Sequence, residues 1–328
     1  MLDDASHPAP VRLRPPRPSV LARIRRSVRA PSAAPAKDPP RAMKPGDILI
    51  ILGVTMLWGL GFTLAKWGFG DFPPIFLIAL RYSVTALAMV WFVRPPWEIL
   101  GRVALISVIG ASINYSLIYT GLEGVDASTA ALIIQLEIPF AAIVAAIFLR
   151  ERLSLRQALG MALSFVGTAF IVGEPKVQQN LIPVMLLMVG AFCWAAGQAM
   201  VRKLGKVDPF ALIAWMAIFG SPQLFLTSYL FESGQWEALE NASWQGWGVV
   251  FYLGVVMNGL GYGLWYRLLG RYTVNTVMPY QLLVPVITVL GGVLLLGEEP
   301  TFLIIMGGAI VILGVAFITI DFRAFGRR

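Results

Sequence analysis

The chain has 328 residues, of which 57% are hydrophobic and 13% charged, and it carries a formal net charge of +8. A soluble globular domain has about 25% charged residues, so this composition excludes a surface that faces water on all sides. The single cysteine, Cys193, and the single histidine, His7, are too few for a zinc site or a histidine-based hydrolytic triad, and we expect neither a metal nor a cofactor.

Residues 1–46 are rich in Pro, Ala and Arg and contain no long apolar run, which predicts a disordered basic tail. Hydrophobic stretches of about 20 residues then recur, the length that crosses a hydrocarbon core. They are continuously apolar rather than alternating, which favours helices over a β-barrel. We predict an all-α membrane protein with ten transmembrane helices at residues 47–66, 73–93, 101–122, 127–149, 154–173, 181–201, 209–231, 246–266, 274–296 and 301–320.

Lys and Arg residues are distributed unevenly between alternate connections. Of the 26 Lys and Arg residues, all but Lys66, Arg81 and Lys176 lie in the tail, in the connections on the same side as the tail, or in the C-terminal segment 321–328. Cytoplasmic loops carry an excess of these cations. We therefore predict an inner (plasma) membrane protein with both termini in the cytoplasm, and the basic net charge needs no nucleic-acid partner.

The two halves of the chain share a spacing of Gln and Pro. Gln135 and Pro139 in the fourth stretch are four residues apart, as are Gln281 and Pro285 in the ninth. The corresponding stretches are five apart, an odd number, so the two halves must lie in opposite orientations. This predicts two inverted five-helix repeats over residues 47–173 and 181–320, an architecture typical of transporters.

A second pattern, Glu-x8-Gly-x6-Gly-x2-Phe, supports the repeat. It occurs without a gap after both stretches, at Glu151, Gly160, Gly167 and Phe170 and at Glu298, Gly307, Gly314 and Phe317. Apolar helices can share Gly and Leu by chance, but chance does not readily reproduce an ungapped pattern of this length together with the Gln-x-x-x-Pro pair.

Several segments resemble a known transporter family. They read "MLWGLGFTLAKWG" around Trp58, "FLIALRYSVTAL" around Arg81, and "YTGLEGVDASTAALIIQLEIPFAAIVAAIFLRERLS" through the fourth stretch, with a counterpart around Pro285 and Glu298. Over about residues 47–320 the chain resembles the drug/metabolite transporter superfamily of the EamA-domain type. The resemblance implies ten helices, alternating access and export of metabolites, amino acids or drugs. The sixth stretch keeps Trp194 but lacks one glycine of the pattern.

Two ionisable side chains lie inside predicted spans. A charge near the bilayer centre costs roughly 2.5–3.5 kcal/mol on insertion scales, so Arg81 and Glu137 should face the bundle interior or a water-filled cavity. Our hypothesis is that one or both contact substrate, or that Glu137 takes up a coupling proton. A structural Arg81–Glu137 ion pair, or an Arg81 side chain that reaches outward to the interface, is the alternative.

Other polar and aromatic side chains inside the spans are candidates for a substrate cavity. An amide in hydrocarbon needs a partner, although many such amides only bridge helices. Pro139 and Pro285 each remove a backbone donor, and we expect them to act as hinges. The remaining cavity candidates are Trp58, Tyr82, Asn114, Tyr115, Gln135, Trp194, Gln198, Asn258, Tyr280 and Gln281.

We predict a transporter, and from the resemblance an exporter, of a small amphipathic metabolite such as an amino acid or drug. The combination of aromatic and amide groups with one Arg suits these better than a phosphorylated sugar, which would require several cations. No HExxH, GxSxG or paired intramembrane Asp motif occurs, so we expect no enzyme. A passive channel and a non-transporting structural protein are the alternatives, and a monomer and a homodimer both stay open.

Overall fold

The computed structural model describes residues 43–148, 153–205, 207–269, 271–272 and 277–320. Within these residues ten helices are long and apolar enough to cross a membrane, which confirms the predicted all-α fold class. Most of the basic tail, Glu151 and the C-terminal segment 321–328 lie outside the described residues. The helices, numbered α1 to α10 in chain order, are Pro45–Gly68, Pro74–Phe92, Trp97–Glu123, Ala127–Phe148, Leu155–Val172, Leu181–Lys203, Pro209–Phe231, Trp244–Trp265, Pro279–Leu296 and Phe302–Thr319.

Local sequence explains where several helices begin. Proline occupies the first position of α1, α2 and α7, where its missing N–H would have no helical partner in any case. Ser154 and Gln157 form a capping box before α5, and the Thr301 hydroxyl accepts a hydrogen bond from Ile304 N at the start of α10. A turn of 3₁₀ helix, Trp97–Ile99, starts α3 four residues before the predicted position.

Helices α5 and α10 pack closely through the glycines of the repeated pattern. An added Cβ at Gly160 would lie 2.7 Å from the carbonyl oxygen of Gly314, and one at Gly167 would lie 2.7 Å from that of Gly307. Low residue numbers of α5 therefore oppose high numbers of α10, so the two helices are antiparallel. Small residues are what allow such close backbone approach in membranes.

Helices α2 and α7 also run antiparallel. The hydroxyls of Ser83 and Ser221 are 2.6 Å apart, and the ring centroids of Phe76 and Phe225 are 5.7 Å apart. Going from the first contact to the second, residue numbers fall in α2 and rise in α7. These are the second helices of the two predicted repeats, just as α5 and α10 are the fifth helices. An inverted repeat predicts that such counterparts lie antiparallel.

The contacts of the other helices are also related between the two halves of the chain. Helix α1 packs on α8 and α9, and its counterpart α6 packs on α3 and α4. Helix α3 also contacts α7, as α8 contacts α2. Each of these contacts maps onto another when helix n is replaced by helix n+5.

The prolines of the Gln-x-x-x-Pro pair lie beside breaks in regular helix. Helix α4 is interrupted between Ile134 and Glu137, and α9 begins with 3₁₀ helix over Met278–Leu282. A proline has no N–H for the carbonyl four residues earlier and its ring clashes with that group. That residue is Gln135 for Pro139 and Gln281 for Pro285, so the breaks lie where the proline acts.

The third helix of each half contains a widened, π-helical stretch. It spans Val108–Ile113 in α3 and Tyr252–Gly261 in α8. Such stretches are frequent at functional sites. An asparagine lies four residues beyond a glycine in each helix: Asn114 directly follows the stretch in α3, and Asn258 lies within the stretch in α8.

Carboxylates bind the N-termini of neighbouring helices at one end of the bundle. We call this end, which holds Asp71, Glu123, Asp126, Glu232 and Glu298, the acidic end, and the opposite end, where α1 begins, the basic end. Free N–H groups and the helix dipole make a helix N-terminus favourable for an anion. The contacts are Asp71 with Ser243 N before α8 (2.7 Å), Glu232 with Ile75 N in α2 (2.7 Å) and Glu298 with Ser128 N in α4 (3.0 Å).

We expect Gly167→Ala to destabilise the protein, because its methyl group would overlap the backbone of α10. Overpacking of this kind costs about 1–3 kcal/mol. Gly53→Ala is the control: Gly53 is exposed on α1, nothing lies within 4 Å of an added Cβ, and alanine favours helix. Melting of the purified variants in detergent compares them. Equal melting temperatures would contradict the close packing of α5 and α10.

Candidate functional site

A cavity of about 160 Å³ lies between helices α2, α3, α6, α7 and α8. It contains six of the side chains that the sequence singled out: Arg81, Tyr82, Tyr115, Trp194, Gln198 and Asn258. The rest of its lining comes from Thr85, Gly110, Val201, Leu212, Ile213, Met216, Ala217 and Tyr262. We call it the central cavity. Its lining consists of one buried cation together with aromatic, amide and apolar side chains.

Arg81 is the charged group of the central cavity. The residue is 2% exposed, in the middle of α2. Its Nη1 donates to the hydroxyl of Tyr119 (3.1 Å) and its Nη2 donates to Oδ1 of Asn258 (2.9 Å). Both acceptors are neutral. The sequence hypothesis that Arg81 faces the bundle interior agrees with this position, and the alternative of an outward-reaching side chain does not.

Asn258 is held in place by the helix it faces. Its Nδ2 donates to Oγ1 of Thr85 (3.0 Å), and this hydroxyl lies within hydrogen-bond distance of the carbonyl oxygens of Arg81 (2.9 Å) and Gly254 (3.0 Å). An added Cβ at Gly254 would lie 3.0 Å from the Arg81 carbonyl, so only glycine allows α8 to approach α2 this closely. The π-helical stretch of α8 thereby presents an amide oxygen to the guanidinium.

Tyrosine rings cover one side of the guanidinium. Arg81 Cζ lies 5.2 Å from the ring centroid of Tyr115, within the range of a cation–π interaction. The rings of Tyr82 and Tyr119 pack edge-on against Tyr115, at centroid distances of 5.5 and 6.1 Å. These aromatic groups pack around the charge, and Arg81 remains part of the cavity lining.

Trp58 lies behind the cavity wall rather than in it. Its ring packs against Tyr262, which lines the cavity, at 5.1 Å and against Trp265 at 5.2 Å, and its Nε1 donates to the carbonyl of Met257 (3.4 Å). The adjacent Gly59 allows α1 to approach α9, since an added Cβ would lie 2.9 Å from the Val284 carbonyl. The tryptophan-glycine motif therefore positions α8, through Trp58, and α9, through Gly59, against α1.

The remaining sequence candidates do not line the central cavity. Asn114 donates to the carbonyl of Gly190 (2.7 Å) and bridges α3 to α6. Tyr280 packs with the cluster that includes Trp58. The others lie at or beside the breaks in α4 and α9: Gln135, Glu137, Pro139, Gln281 and Pro285.

The Arg81–Glu137 ion pair that the sequence left as an alternative is absent from the described residues. No carboxylate among them lies within 4 Å of Arg81; the acid–base pairs they contain are Lys176–Asp126 and Arg271–Asp47. Glu137 is partly buried just after the break in α4. Arg81 and Glu137 therefore do not form an ion pair in this structure.

The central cavity extends from mid-bundle towards the basic end. Val201 lies in the last turn of α6, and Leu212 and Ile213 lie in the first turns of α7, both at the basic end. On the other side of Arg81, Tyr119 and Leu122 are fully buried in the core. Together with the carboxylate contacts at the acidic end, this packing closes the bundle on that side.

Two larger depressions in the protein do not combine a buried cation with aromatic and amide side chains. One of about 620 Å³ at the acidic end is lined by carboxylates such as Asp71 and Glu232, which already accept backbone hydrogen bonds. Another of about 650 Å³ lies between α2, α7 and α8 and has an almost wholly apolar lining that includes Phe92 and Phe210. Neither depression is lined by a buried cation comparable to Arg81.

The sequence did not identify Thr85 or the wall that α7 contributes to the cavity. Thr85 is one hydroxyl in an apolar run, and Leu212, Ile213 and Met216 look like any lipid-facing residues. One signal could have paired the two asparagines: Gly110-x-x-x-Asn114 and Gly254-x-x-x-Asn258 share a spacing in the third helix of each half.

Comparison with known proteins places the chain in a family. The family model described as the EamA-like transporter family matches residues 44–173 and again residues 181–320. A solved structure with 20% sequence identity superposes with a TM-score of 0.59 over 84% of this chain and 99% of its own length, which supports the fold.

Curated relatives match over nearly their whole length. A protein of Salmonella typhimurium named as a probable amino-acid metabolite efflux pump is 28% identical over 84% of this chain and 96% of its own length. A protein of Escherichia coli with the same name is 27% identical over 82% and 93%. A Streptantibioticus cattleyicolor protein, named as a probable terminal-alkyne amino-acid exporter, is 27% identical over 85% and 94%.

The double family match covers most of the chain, and five of the ten apolar helices line a cavity that contains a buried cation. The chain is a multi-pass membrane protein that transports a small molecule, and it belongs to the EamA-like transporter family.

Proposed function

We propose that this chain is an inner-membrane exporter of a metabolite of amino-acid size, working by alternating access around the central cavity. The observation that carries the proposal is a buried Arg81, with no described carboxylate within 4 Å, in a mixed polar and aromatic cavity that extends towards one end of the bundle. The relatives named as amino-acid metabolite efflux pumps and as an amino-acid exporter support the direction and the substrate size.

The size of the cavity favours a metabolite over a drug. Drug-sized ligands occupy pockets of about 300–1,000 Å³, whereas the central cavity has about 160 Å³. An amino acid or a compound of similar size is the better match.

Alternation follows from the proposed inverted repeats, residues 47–173 and 181–320. The antiparallel packing of α2 on α7 and of α5 on α10, and the exchange of partners by the other helices, support this division. Two similar halves of opposite sense can rock about a central site and expose it to either side. In this proposal Pro139 and Pro285 are the hinges, because regular helix is already broken beside them.

The basic end is the cytoplasmic end in this proposal, and both termini lie in the cytoplasm. The excess of Lys and Arg at that end supports the orientation. Because the central cavity extends towards the basic end, the conformation described is the one that loads substrate from the cytoplasm. Release then requires the carboxylate contacts at the acidic end to separate.

A second part of the proposal concerns energy coupling. Glu137 is an acid inside a span, half-buried at the helix break of α4, and outside the shell of Arg81. Intramembrane acids commonly mark proton pathways. We propose that Glu137 carries a coupling proton across the membrane while the central cavity carries the substrate.

A carrier and a passive channel differ in one measurement. We expect radiolabelled amino acid to enter proteoliposomes faster when the unlabelled compound is inside, because the loaded carrier returns faster than the empty one. A mixture of the 20 standard amino acids is the first probe. Uptake without stimulation by internal substrate would support the passive channel instead, and no uptake of any compound would contradict transport of amino acids.

We expect Trp194→Ala to weaken counterflow, because Trp194 is an aromatic surface of the central cavity. Loss of one buried aromatic contact of about 1.5–3 kcal/mol corresponds to roughly 10- to 100-fold in apparent affinity. Trp91→Ala is the matched control, since Trp91 lies at the end of α2 and is 80% exposed. Equal loss in both variants would argue against the cavity as the substrate site.

We expect Glu137→Gln to abolish uptake driven by a pH gradient while leaving counterflow in place. Counterflow needs only substrate exchange, whereas gradient-driven uptake needs a group that takes up and releases a proton. Both rates are measured in the same proteoliposomes with and without a pH step. Gradient-driven uptake at the wild-type rate would remove Glu137 from the coupling mechanism.

A further inference from the structure

The charge of Arg81 has no counter-charge in the part of the protein that the structure describes. Its hydrogen-bond acceptors are a phenol and an amide, and its ring contact is a neutral tyrosine. No described carboxylate lies within 4 Å. A buried cation is usually paired with an acid, so a side chain this buried without one is prepared for an anion that comes from outside the protein.

The guanidinium also has unused donors. An arginine presents five N–H groups in a rigid fork, and Arg81 makes two hydrogen bonds within the described residues, one from each terminal nitrogen. Its Nε is buried and has no hydrogen-bond partner. The free donors can meet the two oxygens of a carboxylate side by side, which is the geometry in which arginine binds this group most strongly.

The lining defines the charge that the cavity can accept. Among the described residues that line the cavity, Arg81 is the one Lys or Arg, and none is Asp or Glu. A phosphate group, with a charge of about −1.5 to −2, or a second carboxylate would leave negative charge unpaired in a low-dielectric site. An ammonium group would lack an acidic partner and would be repelled by Arg81.

From these observations we infer that the central cavity recognises its substrate through a single carboxylate held by Arg81, and that the substrate's amino group contributes little to binding. This inference rests on the proposed transport function and extends it by naming the recognised group. The substrate class is a monocarboxylate with a small apolar or aromatic body, whether or not it carries an α-amino group.

Matched ligands test which group is recognised. Purified full-length protein is melted with leucine, methionine or phenylalanine, and each is compared with its carboxamide and with its deaminated acid (4-methylpentanoate, 4-(methylthio)butanoate and 3-phenylpropanoate). We expect at least one acid to raise the melting temperature. A carboxamide should bind roughly 10- to 100-fold more weakly, because a hydrogen bond to a charged group is lost. The deaminated acid should bind at least as tightly as the amino acid, because the ammonium group finds no acidic partner in the cavity.

Isosteric variants test the role of Arg81 from within the protein. Asn258→Asp places a carboxylate 2.9 Å from Nη2 of Arg81, so we expect a higher melting temperature without ligand and no further shift with acids. Thr85 Oγ1, now 3.0 Å from the amide nitrogen, can turn its hydrogen to the second carboxylate oxygen. Asn114→Asp is the matched control: the side chain faces the Gly190 carbonyl, and we expect it to lower the melting temperature.

Two arginine variants complete the test. We expect Arg81→Lys to keep the charge but lose the fork, so that acids still shift the melting temperature at concentrations at least tenfold higher. Arg94→Gln removes an exposed charge just after α2 and should leave the acid-dependent shift unchanged.

The inference is overturned if carboxamides stabilise the protein as well as the acids do, if no acid in the panel produces a shift, or if Asn258→Asp lowers the melting temperature as much as Asn114→Asp. Counterflow separates this result from the proposed function. If exchange is stimulated and carboxamides inhibit it as strongly as the acids do, carboxylate recognition is wrong but the protein is still a carrier. If acids raise the melting temperature in an Arg81-dependent way but no exchange occurs, the carboxylate site stands and the carrier function is wrong.

Discussion

The buried guanidinium of Arg81 is the interaction on which the centre of this protein depends. In hydrocarbon such a charge costs several kcal/mol, and here it is surrounded by neutral groups that accept hydrogen bonds or offer an aromatic face. Tyr119 comes from α3 and Asn258 from α8, so the cation joins three helices drawn from both halves of the chain. In the proposed cycle, a ligand that neutralises Arg81 acts on this contact between the halves and so links substrate binding to their movement.

Close backbone contact is the second requirement, and glycine provides it. Gly254 lets α8 approach α2 closely enough for Asn258 to reach Arg81, and Gly167 lets α5 lie against α10. Lipid tails are as apolar as leucine, so helices in a membrane gain little from apolar burial and depend on fit and on polar contacts.

The two ends of the bundle are held together differently. At the acidic end Glu232 and Glu298 accept backbone N–H groups from helices that are distant in the sequence. Such charge-assisted contacts are strong, yet they can be broken when water or another anion replaces the carboxylate. The central cavity opens away from this end. An alternating-access cycle would exchange which end is sealed, and the seal described here consists of identifiable polar contacts rather than of apolar packing alone.

Hydrophobic length and residue spacing were enough to predict the ten helices, the glycine pattern that α5 and α10 share, and the interior position of Arg81. These properties follow from the bilayer, which imposes one length and one hydrogen-bonding requirement on every span. The separation of Glu137 from Arg81, the bridging role of Asn114 and the contribution of Thr85 were decided by the tertiary structure. Which face of an apolar helix turns inward depends on the shapes of its neighbours, and a continuously apolar sequence does not encode that choice locally.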